Sequence, residues 1–375
     1  MKKILLNLTV LILIVMFSVL GISGCQKAST SDTQVETTIE SETTIAAETT
    51  EAETTEAEKK LVFGNIPAAL SDEWNGYSVE NFKFAADKVG VEVQVLDPNW
   101  DGTKALSNLE DLITKKVDAV SVFVLTPEEA AKFIEIADKA GMTIAFENTK
   151  LEDNPYSDID YQGDYLFNVC EDYFGLGYEA IKYIGEKYPG ANVFHVRGLP
   201  GMGIAEVMQD GVDAAIKEFG KVTSTVNRDT QWDTETAQKA VADVIQSGEK
   251  FDVIFADNES MALGVHNALK DAGLDDKIPL VATNGGPTGI KMIQEGSLEA
   301  TCAVPVSIQG LYIFKALYLY EAKGIEPPQK FIEIATNVIT KDNLDEIIPW
   351  APSDDLIDLI GGLDSWDTPG IFQEK

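Results

Sequence analysis

Residues 254–264 read IFADNESMALG, and this stretch contains the pattern that decides the fold. A short apolar run stops at Asp257, Asn258 and Glu259, and apolar residues at helical spacing begin directly after them. The order indicates a buried strand, a polar turn and a helix. Three roles are open for the polar turn: it caps the helix, it contacts a ligand, or it carries out chemistry.

Comparable strand and helix signals recur along the chain. The apolar runs are short and continuous, which is typical of strands buried on both faces of a parallel sheet. Helix starts are legible between them, as in Thr126-Pro127-Glu128-Glu129, where a capping threonine precedes a proline and an acidic first turn. The alternation predicts an α/β fold with right-handed crossovers. The predicted strands are 61–65, 91–96, 119–125, 143–146, 192–196, 222–226, 252–256, 279–283 and 300–304.

Polar side chains follow most of these runs at their carboxyl ends. Ligands of open parallel sheets bind beyond the carboxyl ends of the strands. The sequence therefore predicts a cleft with many hydrogen-bonding groups. The polar residues at these ends are Asn65, Asp97, Glu147, Asn148, Arg197, Arg228, Asp229, Asp257, Asn258 and Asn284.

The N-terminal part indicates export. Residues 1–24 combine a basic start with an apolar core, which predicts a secretory signal peptide. The stretch Ile22-Ser23-Gly24-Cys25 resembles a bacterial lipoprotein cleavage box, in which Cys25 carries the lipid. Residues 25–59 repeat Glu-Thr-Thr and lack aromatic residues, so we expect a disordered tether to a lipid anchor at the outer face of the cell membrane.

Charge and motifs exclude several function classes. A net charge of −33 argues against nucleic acid as a partner. The loop 198–203 has the order G-x-x-G-x-G, and Pro200 would interrupt its run of amides, which disfavours a dinucleotide site. The usual hydrolase, metalloprotease and redox motifs do not occur, and no cofactor, metal or enzymatic activity is predicted. Cys170 and Cys302 either pair or remain buried thiols, and their spacing does not decide between the two.

Two tryptophans lie in loops that follow predicted strands. Trp74 follows the first strand, and Trp232 follows the sixth. An exposed indole at such a position is suited to stacking on the C–H face of a sugar or on a flat ring. Ordinary burial is the alternative for each. Their equivalent positions, one in each half of the chain, favour a ligand-binding role.

The chain resembles the type I periplasmic binding proteins, in the ribose- and galactose-binding branch that serves ATP-binding-cassette importers. The resemblance covers about residues 60–340 and is most specific in 253–264. It implies two Rossmann-like lobes with parallel sheets, a hinge of three crossings and a ligand cleft between the lobes. Lobe one would comprise 60–165 and 304–335. Lobe two would comprise 166–303 and 336–375, including a C-terminal extension.

The same resemblance implies the ligand contacts. Trp74 and Trp232 correspond to stacking aromatics, Glu147 and Asn148 to a polar pair after the fourth strand, and Asn258 to the turn asparagine. The full predicted set is Trp74, Asn75, Glu147, Asn148, Glu206, Trp232, Asn258 and Asn284.

Three positions depart from the ribose-like pattern. Glu206 stands where the family has an arginine, Asn284 where it has an aspartate, and Val304 where it has a glutamine. Loss of the arginine removes a rigid donor fork, which argues against ribose itself. A different sugar, a nucleoside or an amine-bearing ligand remains open.

The resemblance thus implies a monomeric solute-binding lipoprotein that captures a small polar molecule, foremost a mono- or disaccharide, for a membrane permease. A receptor that docks to a transmembrane signalling protein is the first alternative. A secreted enzyme is the second.

Overall fold

The computed structural model describes residues 59–151, 159 and 161–366. The predicted signal peptide, Cys25 and the tether up to residue 58 lie outside the described residues. The strands are β1 (Val62–Ile66), β2 (Glu92–Val95), β3 (Ala119–Phe123), β4 (Thr143–Glu147), β5 (Phe167–Glu171), β6 (Asn192–Arg197), β7 (Thr223–Asp229), β8 (Val253–Ala256), β9 (Leu280–Asn284), β10 (Ala300–Ala303), β11 (Phe331–Ile334) and β12 (Asn337–Thr340). The α-helices are α1 (Glu73–Val89), α2 (Gly102–Lys115), α3 (Pro127–Ala140), α4 (Tyr173–Lys187), α5 (Ile204–Phe219), α6 (Thr234–Ser247), α7 (Glu259–Asp271), α8 (Pro287–Glu295), α9 (Val306–Lys323) and α10 (Asp354–Leu359).

The strands form two six-stranded sheets. The first has the order β11-β5-β4-β3-β1-β2, and the second has the order β12-β10-β9-β8-β6-β7. All pairs are parallel except β10 with β12. Every residue of β3 and β8 is buried, as continuous apolar runs covered by helices on both faces should be. The predicted α/β fold with two lobes is confirmed.

The first boundary between the lobes lies later than predicted. β5, which follows the predicted boundary at 165/166, pairs with β4 in the sheet of lobe one. Its apolar run is interrupted by Asn168, which makes the strand hard to recognise in the sequence. The Asn168 side chain is fully buried and donates to the carbonyls of Phe146 and Thr149. The chain therefore crosses to lobe two after Glu171.

The end of the described chain also differs from the prediction. β11 belongs to lobe one and β12 to lobe two, so a crossing lies between them, at residues 335–336. Residues 354–366 then return to lobe one, where Leu356, Ile360 and Leu363 join its hydrophobic core. The buried Lys315 Nζ donates to the carbonyl of Ile360 at 2.7 Å. The assignment of all of 336–375 to lobe two is therefore wrong for this segment.

Helices α1 and α9 cover lobe one at close range. An added Cβ at Gly310 would collide with the carbonyl oxygen of Ser78, so a residue without a side chain is required at this crossing. In the described part of the chain, no helix is both long and apolar enough to cross a membrane.

Candidate functional site

A cavity between the lobes contains about 740 Å³ of space free of protein atoms, including its open mouth. It is lined by residues at or beyond the carboxyl ends of β1 to β10, together with Trp350 of the C-terminal segment. The predicted cleft at the carboxyl ends of the strands is therefore present, in the position that open parallel sheets favour.

Four of the chain's five tryptophans line this cavity: Trp74, Trp100, Trp232 and Trp350. Trp74 lies in the first turn of α1, and its ring meets that of Trp350 edge to face, with 5.2 Å between the centroids. The indole nitrogens of Trp74, Trp232 and Trp350 are buried without a hydrogen-bond partner among the described residues. Buried indole N–H groups usually have an acceptor, so these three are unsatisfied hydrogen-bond donors in the residues that line the cavity.

Trp232 is held in a strained backbone conformation, with φ of 63°. Its ring lies directly over the Cα of Gly198, where any side chain would collide with it. The glycine of the loop 198–203 therefore makes room for an aromatic wall of the cleft. The contact with Trp232 therefore gives a structural reason for Gly198, which in the sequence belongs to a glycine pattern similar to that of dinucleotide-binding loops.

Asn258 is the N-cap of α7. Its Oδ1 accepts a hydrogen bond from the amide of Met261 at 2.7 Å, and its Nδ2 donates to the carbonyl of Trp232 at 3.2 Å. The residue lines the cavity, as predicted, but both of its side-chain groups already have partners. Asn258 thus connects the helix start to the loop that carries Trp232.

Asp257 and Glu259 brace the surrounding loops. The Asp257 carboxylate lies 2.6 Å from His195 Nε2 and accepts a hydrogen bond from the amide of Gly198 at 2.8 Å. Glu259 accepts hydrogen bonds from the amides of Gly285 and Gly286 at 2.7 and 2.8 Å. Burial raises the pKa of Glu259 to about 8 against the opposing effect of these donors. Asp257 and Glu259, in the polar turn of residues 254–264, therefore hold the loops around the cleft in position.

Three of the predicted asparagines line the cavity and differ in what they offer. Asn75 uses its whole amide, because Oδ1 accepts from Ala68 N and Nδ2 donates to Asp72. The side chain of Asn148, with φ of 72°, forms no hydrogen bond with the described residues. Asn284, with φ of 110°, accepts from the Thr283 hydroxyl, and its Nδ2 is unpaired within the same part of the chain. Asn148 and Asn284 are therefore the amides available to a ligand.

Glu147 does not line the cavity, contrary to prediction. It is buried behind the cleft wall, where it accepts hydrogen bonds from Ser78, Gln309 and Ser121 at 2.6, 3.0 and 3.2 Å. Burial raises its pKa despite these donors. Since the three donors lie on α1, α9 and β3, Glu147 ties two helices to the sheet of lobe one.

Glu206 also lies outside the lining. Its Oε1 accepts a hydrogen bond from the amide of Gly201 at 2.7 Å. Glu206 stands in the first turn of α5, so its carboxylate orders the loop that precedes this helix. Glu206, at the position that corresponds to an arginine in the ribose-like pattern, is thus hydrogen-bonded to the loop that precedes its own helix.

Glu171 lines the cleft and was not identified from the sequence, because β5 itself was not recognised. Burial raises the pKa of its carboxyl to about 8. One oxygen, Oε2, accepts from the Tyr173 hydroxyl at 2.7 Å. The other, Oε1, is buried without a partner among the described residues. Trp100 and Trp350 also line the cavity and are not among the predicted residues. Trp100 follows the predicted strand 91–96 as Trp74 and Trp232 follow theirs, so the same signal could have found it, whereas Trp350 follows no predicted strand closely.

The charge of the lining is one-sided. Among the described residues, no lysine, arginine or histidine lines the cavity. Carboxyl groups come from Asp72, Glu73, Glu171, Asp257 and Glu259. Such a lining offers no counter-charge to a phosphate or carboxylate. The described residues also contain no cluster of histidine, cysteine or acidic groups that could hold a metal ion.

Cys170 and Cys302 are both free and buried. Cys170 lies on β5 in lobe one, and Cys302 lies on β10 in lobe two. They lie in the sheets of different lobes, so the alternative of two buried thiols is the one that the structure shows.

Comparison with known proteins adds the family. The ribose import binding protein of Salmonella typhimurium is 27% identical over 222 residues, which is 58% of this chain and 70% of the relative. The D-allose-binding periplasmic protein of Escherichia coli is 24% identical over 222 residues, covering 58% and 71%.

Solved structures show the same fold. A solute-binding protein from Bacillus halodurans with bound myo-inositol has a TM-score of 0.69 and 21% identity, covering 76% of this chain and 96% of its own. One from Actinobacillus succinogenes with bound D-allose has a TM-score of 0.69 and 21% identity, covering 77% and 100%. The family described as "Periplasmic binding protein domain" matches residues 63–324. This chain belongs to the periplasmic binding protein family, in its type I, ribose- and galactose-like branch.

Proposed function

We propose that the protein captures a neutral, hydroxyl-rich small molecule, a sugar or a cyclic polyol, outside the cytoplasm and delivers it to an ATP-binding-cassette importer. The observation that carries this proposal is the lining itself: four indole rings and no cationic side chain among the described residues. Aromatic faces pack against the C–H faces of sugar rings, whereas anionic ligands require donors of positive charge. The relatives named for ribose and allose support the same class of ligand.

Hydrogen bonding would determine which molecule is retained. Among the described residues, the unpaired polar groups of the lining include the side-chain amide of Asn148, Asn284 Nδ2, Glu171 Oε1 and three indole N–H groups. A ligand with matching hydroxyls would satisfy them on closure. A ligand without these hydroxyls would leave buried groups unpaired, at a cost of about 1–3 kcal/mol for each.

Capture would proceed by hinge closure, and no covalent chemistry is needed. The two lobes already touch across the cleft, where the Thr288 hydroxyl of α8 donates to Glu73 of α1 at 2.9 Å. This hydrogen bond joins the lobes only when the cleft is closed. Ligand affinity would therefore include the free energy of the hinge equilibrium as well as the direct contacts.

The proposal includes the cellular arrangement. Cys25 would carry the lipid, and residues 25–59 would act as the tether that holds the binding domain at the outer face of the membrane. A permease of the importer would be the protein partner, and the protein would act as a monomer. The anchor and the tether rest on the sequence of residues 1–58, which lie outside those described, and the permease rests on the relatives named for ribose import.

A thermal-shift screen tests the ligand class. Binding to the folded state alone raises the melting temperature, by an amount that grows with the ratio of ligand concentration to Kd. The panel would contain D-ribose, D-allose, D-xylose, D-glucose, D-galactose and myo-inositol. We expect a saturable shift with at least one of them. A protein that shifts with none of these, while an amine or nucleoside stabilises it, would refute the sugar assignment.

An amine-bearing ligand is the second candidate, because five carboxyl groups line the cavity. All five are already hydrogen-bonded to protein groups. An amino sugar such as D-glucosamine, tested beside D-glucose, distinguishes the two candidates. A clear preference for the amino sugar would favour the second.

A further inference from the structure

The C-terminal segment, residues 341–366, connects the two lobes a fourth time. It leaves β12 in lobe two and ends on lobe one, where α10 and Trp366 pack against the core. The Trp366 ring lies 5.8 Å from that of Phe167, between ring centroids. Trp350 lies in the middle of this segment and reaches the cleft between the lobes.

Contacts with both lobes fix Trp350. Its carbonyl accepts a hydrogen bond from Asn81 Nδ2 on α1 at 2.8 Å. Its ring meets the rings of Trp74 and Tyr77 edge to face, at 5.2 and 5.8 Å. On the other side it lies against Gly286 of lobe two, where a Cβ would stand 2.7 Å from the indole. With 4% of its surface exposed, Trp350 is wedged between the lobes.

The neighbouring carbonyl is anchored as well. The Ser307 hydroxyl, at the start of α9, donates to the carbonyl of Pro349 at 2.8 Å. Asn81 and Ser307 are both buried residues of lobe one. The carbonyls of Pro349 and Trp350 are therefore both held to lobe one by buried hydrogen bonds. These hydrogen bonds hold the backbone of the segment at the cleft, while the contacts with Trp74, Tyr77 and Gly286 hold the indole itself.

A second cavity lies behind Trp350. It contains about 690 Å³ of space free of protein atoms, including its opening. It is bounded by the segments at 303–305 and 335–337, which cross between the lobes, and by the C-terminal segment. Asn284, Val304 and Trp350 line both this cavity and the ligand cavity. Trp350 is the largest of the three side chains. It therefore acts as the main partition between the two spaces.

We propose that Trp350 determines the size of the ligand: its indole closes the cleft after one sugar ring and excludes disaccharides. The inference rests on the proposed function and narrows it from sugars in general to monosaccharides and cyclic polyols. A second ring would have to occupy the position of the indole, which is held by contacts with both lobes. Without the indole, the ligand cavity and the space behind it would join.

The test compares tryptophan variants of the same segment in the purified protein. Trp350→Ala and Trp350→Leu remove the partition, and Trp366→Ala is the matched control because Trp366 packs on lobe one and does not line the cavity. Calorimetric titrations would use D-glucose, D-galactose, D-allose and myo-inositol, and the disaccharides maltose, lactose and melibiose. Melting temperatures without sugar would show that each variant is folded.

We expect the unmodified protein to bind a monosaccharide or inositol and none of the disaccharides. Trp350→Ala or Trp350→Leu should weaken this binding about tenfold or more, and should lower the preference over disaccharides at least as much. Trp366→Ala should leave both values unchanged. If the Trp350 variants keep the affinity and the preference of the Trp366 variant, or if the unmodified protein binds a disaccharide as tightly, the size limit is refuted while the sugar assignment stands. If the unmodified protein binds neither a sugar nor myo-inositol, both proposals are refuted.

Discussion

The carboxyl group of Glu171 and the hydroxyl group of Tyr173 are 2.7 Å apart at the point where the chain first crosses between the lobes. The same hydroxyl lies 3.1 Å from the carbonyl oxygen of Asn148. The Tyr173 hydroxyl has one hydrogen, so it can donate a full hydrogen bond to only one of these two oxygens. If Glu171 is protonated, it donates to the Tyr173 oxygen and Tyr173 donates to Asn148. The raised pKa of Glu171 agrees with this arrangement.

The first prediction concerns pH. The ordinary pKa of this carboxyl is 4.5 and its pKa in the folded protein is about 8, so between these values the folded state holds a proton that the unfolded state lacks. The free energy of unfolding should therefore decrease as pH rises from about 5 to about 8, by up to about 1.4 kcal/mol per pH unit for this group. Denaturant unfolding at several pH values measures it.

Glu171→Gln provides the control, because an amide imitates the protonated carboxyl. Its stability should depend on pH less steeply than that of the unmodified protein between pH 5 and 8. Glu147 and Glu259 also have raised pKa values and remain in both proteins, so the difference isolates Glu171. Equal slopes for the two proteins would show that Glu171 is ionised in the folded state.

The second prediction concerns the aromatic walls. Trp74→Ala or Trp232→Ala should weaken binding of the sugar that gives the largest thermal shift by about 1–3 kcal/mol, since each removes a face on which the ring packs. Tyr320→Ala is a suitable control, because Tyr320 is 37% exposed and does not line the cavity. Titration calorimetry gives the Kd values. Unchanged affinity in both tryptophan variants would remove these residues from the site.

The third prediction separates Glu147 from the ligand contacts. Glu147→Ala leaves the hydroxyls of Ser78 and Ser121 and the amide of Gln309 without their buried acceptor, so the protein should lose about 2–5 kcal/mol of stability. Chemical denaturation without sugar measures this loss. Gln309→Ala removes one donor and should cost less. A Glu147→Ala protein of normal stability with impaired sugar binding would instead restore Glu147 to the ligand site.

The fourth prediction concerns the thiols. Burial raises the pKa of both Cys170 and Cys302, and only the thiolate form attacks the disulfide of a thiol reagent. In the folded protein, Ellman's reagent should therefore react with neither. After denaturation without reductant, both should react. A Cys170→Ser variant should lose one of the two equivalents that Cys170 and Cys302 contribute. If denatured, unreduced protein showed no reactive thiol at these positions, a disulfide would be present.

The two-lobed α/β fold could be predicted from the sequence because the features that specify its strands and helices are local. Continuous apolar runs, capped helix starts and polar strand ends each occupy a few neighbouring residues, and all nine predicted strands occur. β5 was missed because Asn168 interrupts its apolar run. The buried Asn168 side chain is satisfied by groups distant in sequence: Nδ2 donates to the carbonyls of Phe146 and Thr149, and Oδ1 accepts from the amide of Leu151. Such compensation depends on tertiary contacts, which periodicity does not reveal.

The site was predicted less completely for a related reason. Strand ends correctly located Trp74, Asn148, Trp232 and Asn284 at the cleft. Position alone does not give the direction of a side chain, so Glu147 and Glu206 were assigned to the ligand although they bond within the protein. Trp350 is distant in sequence from every other wall of the cavity. Only the path of the C-terminal segment brings it there.

A calorimetric comparison of neutral sugars with their own phosphate esters tests the central claim most directly. The pairs would be D-ribose and D-ribose 5-phosphate, D-glucose and D-glucose 6-phosphate, and myo-inositol and its 1-phosphate. Because the described lining contains four tryptophans and no cationic side chain, we predict saturable one-to-one binding of at least one neutral member and no binding of its phosphate ester. Binding of a phosphate ester by a protein that binds none of the neutral sugars would contradict the account.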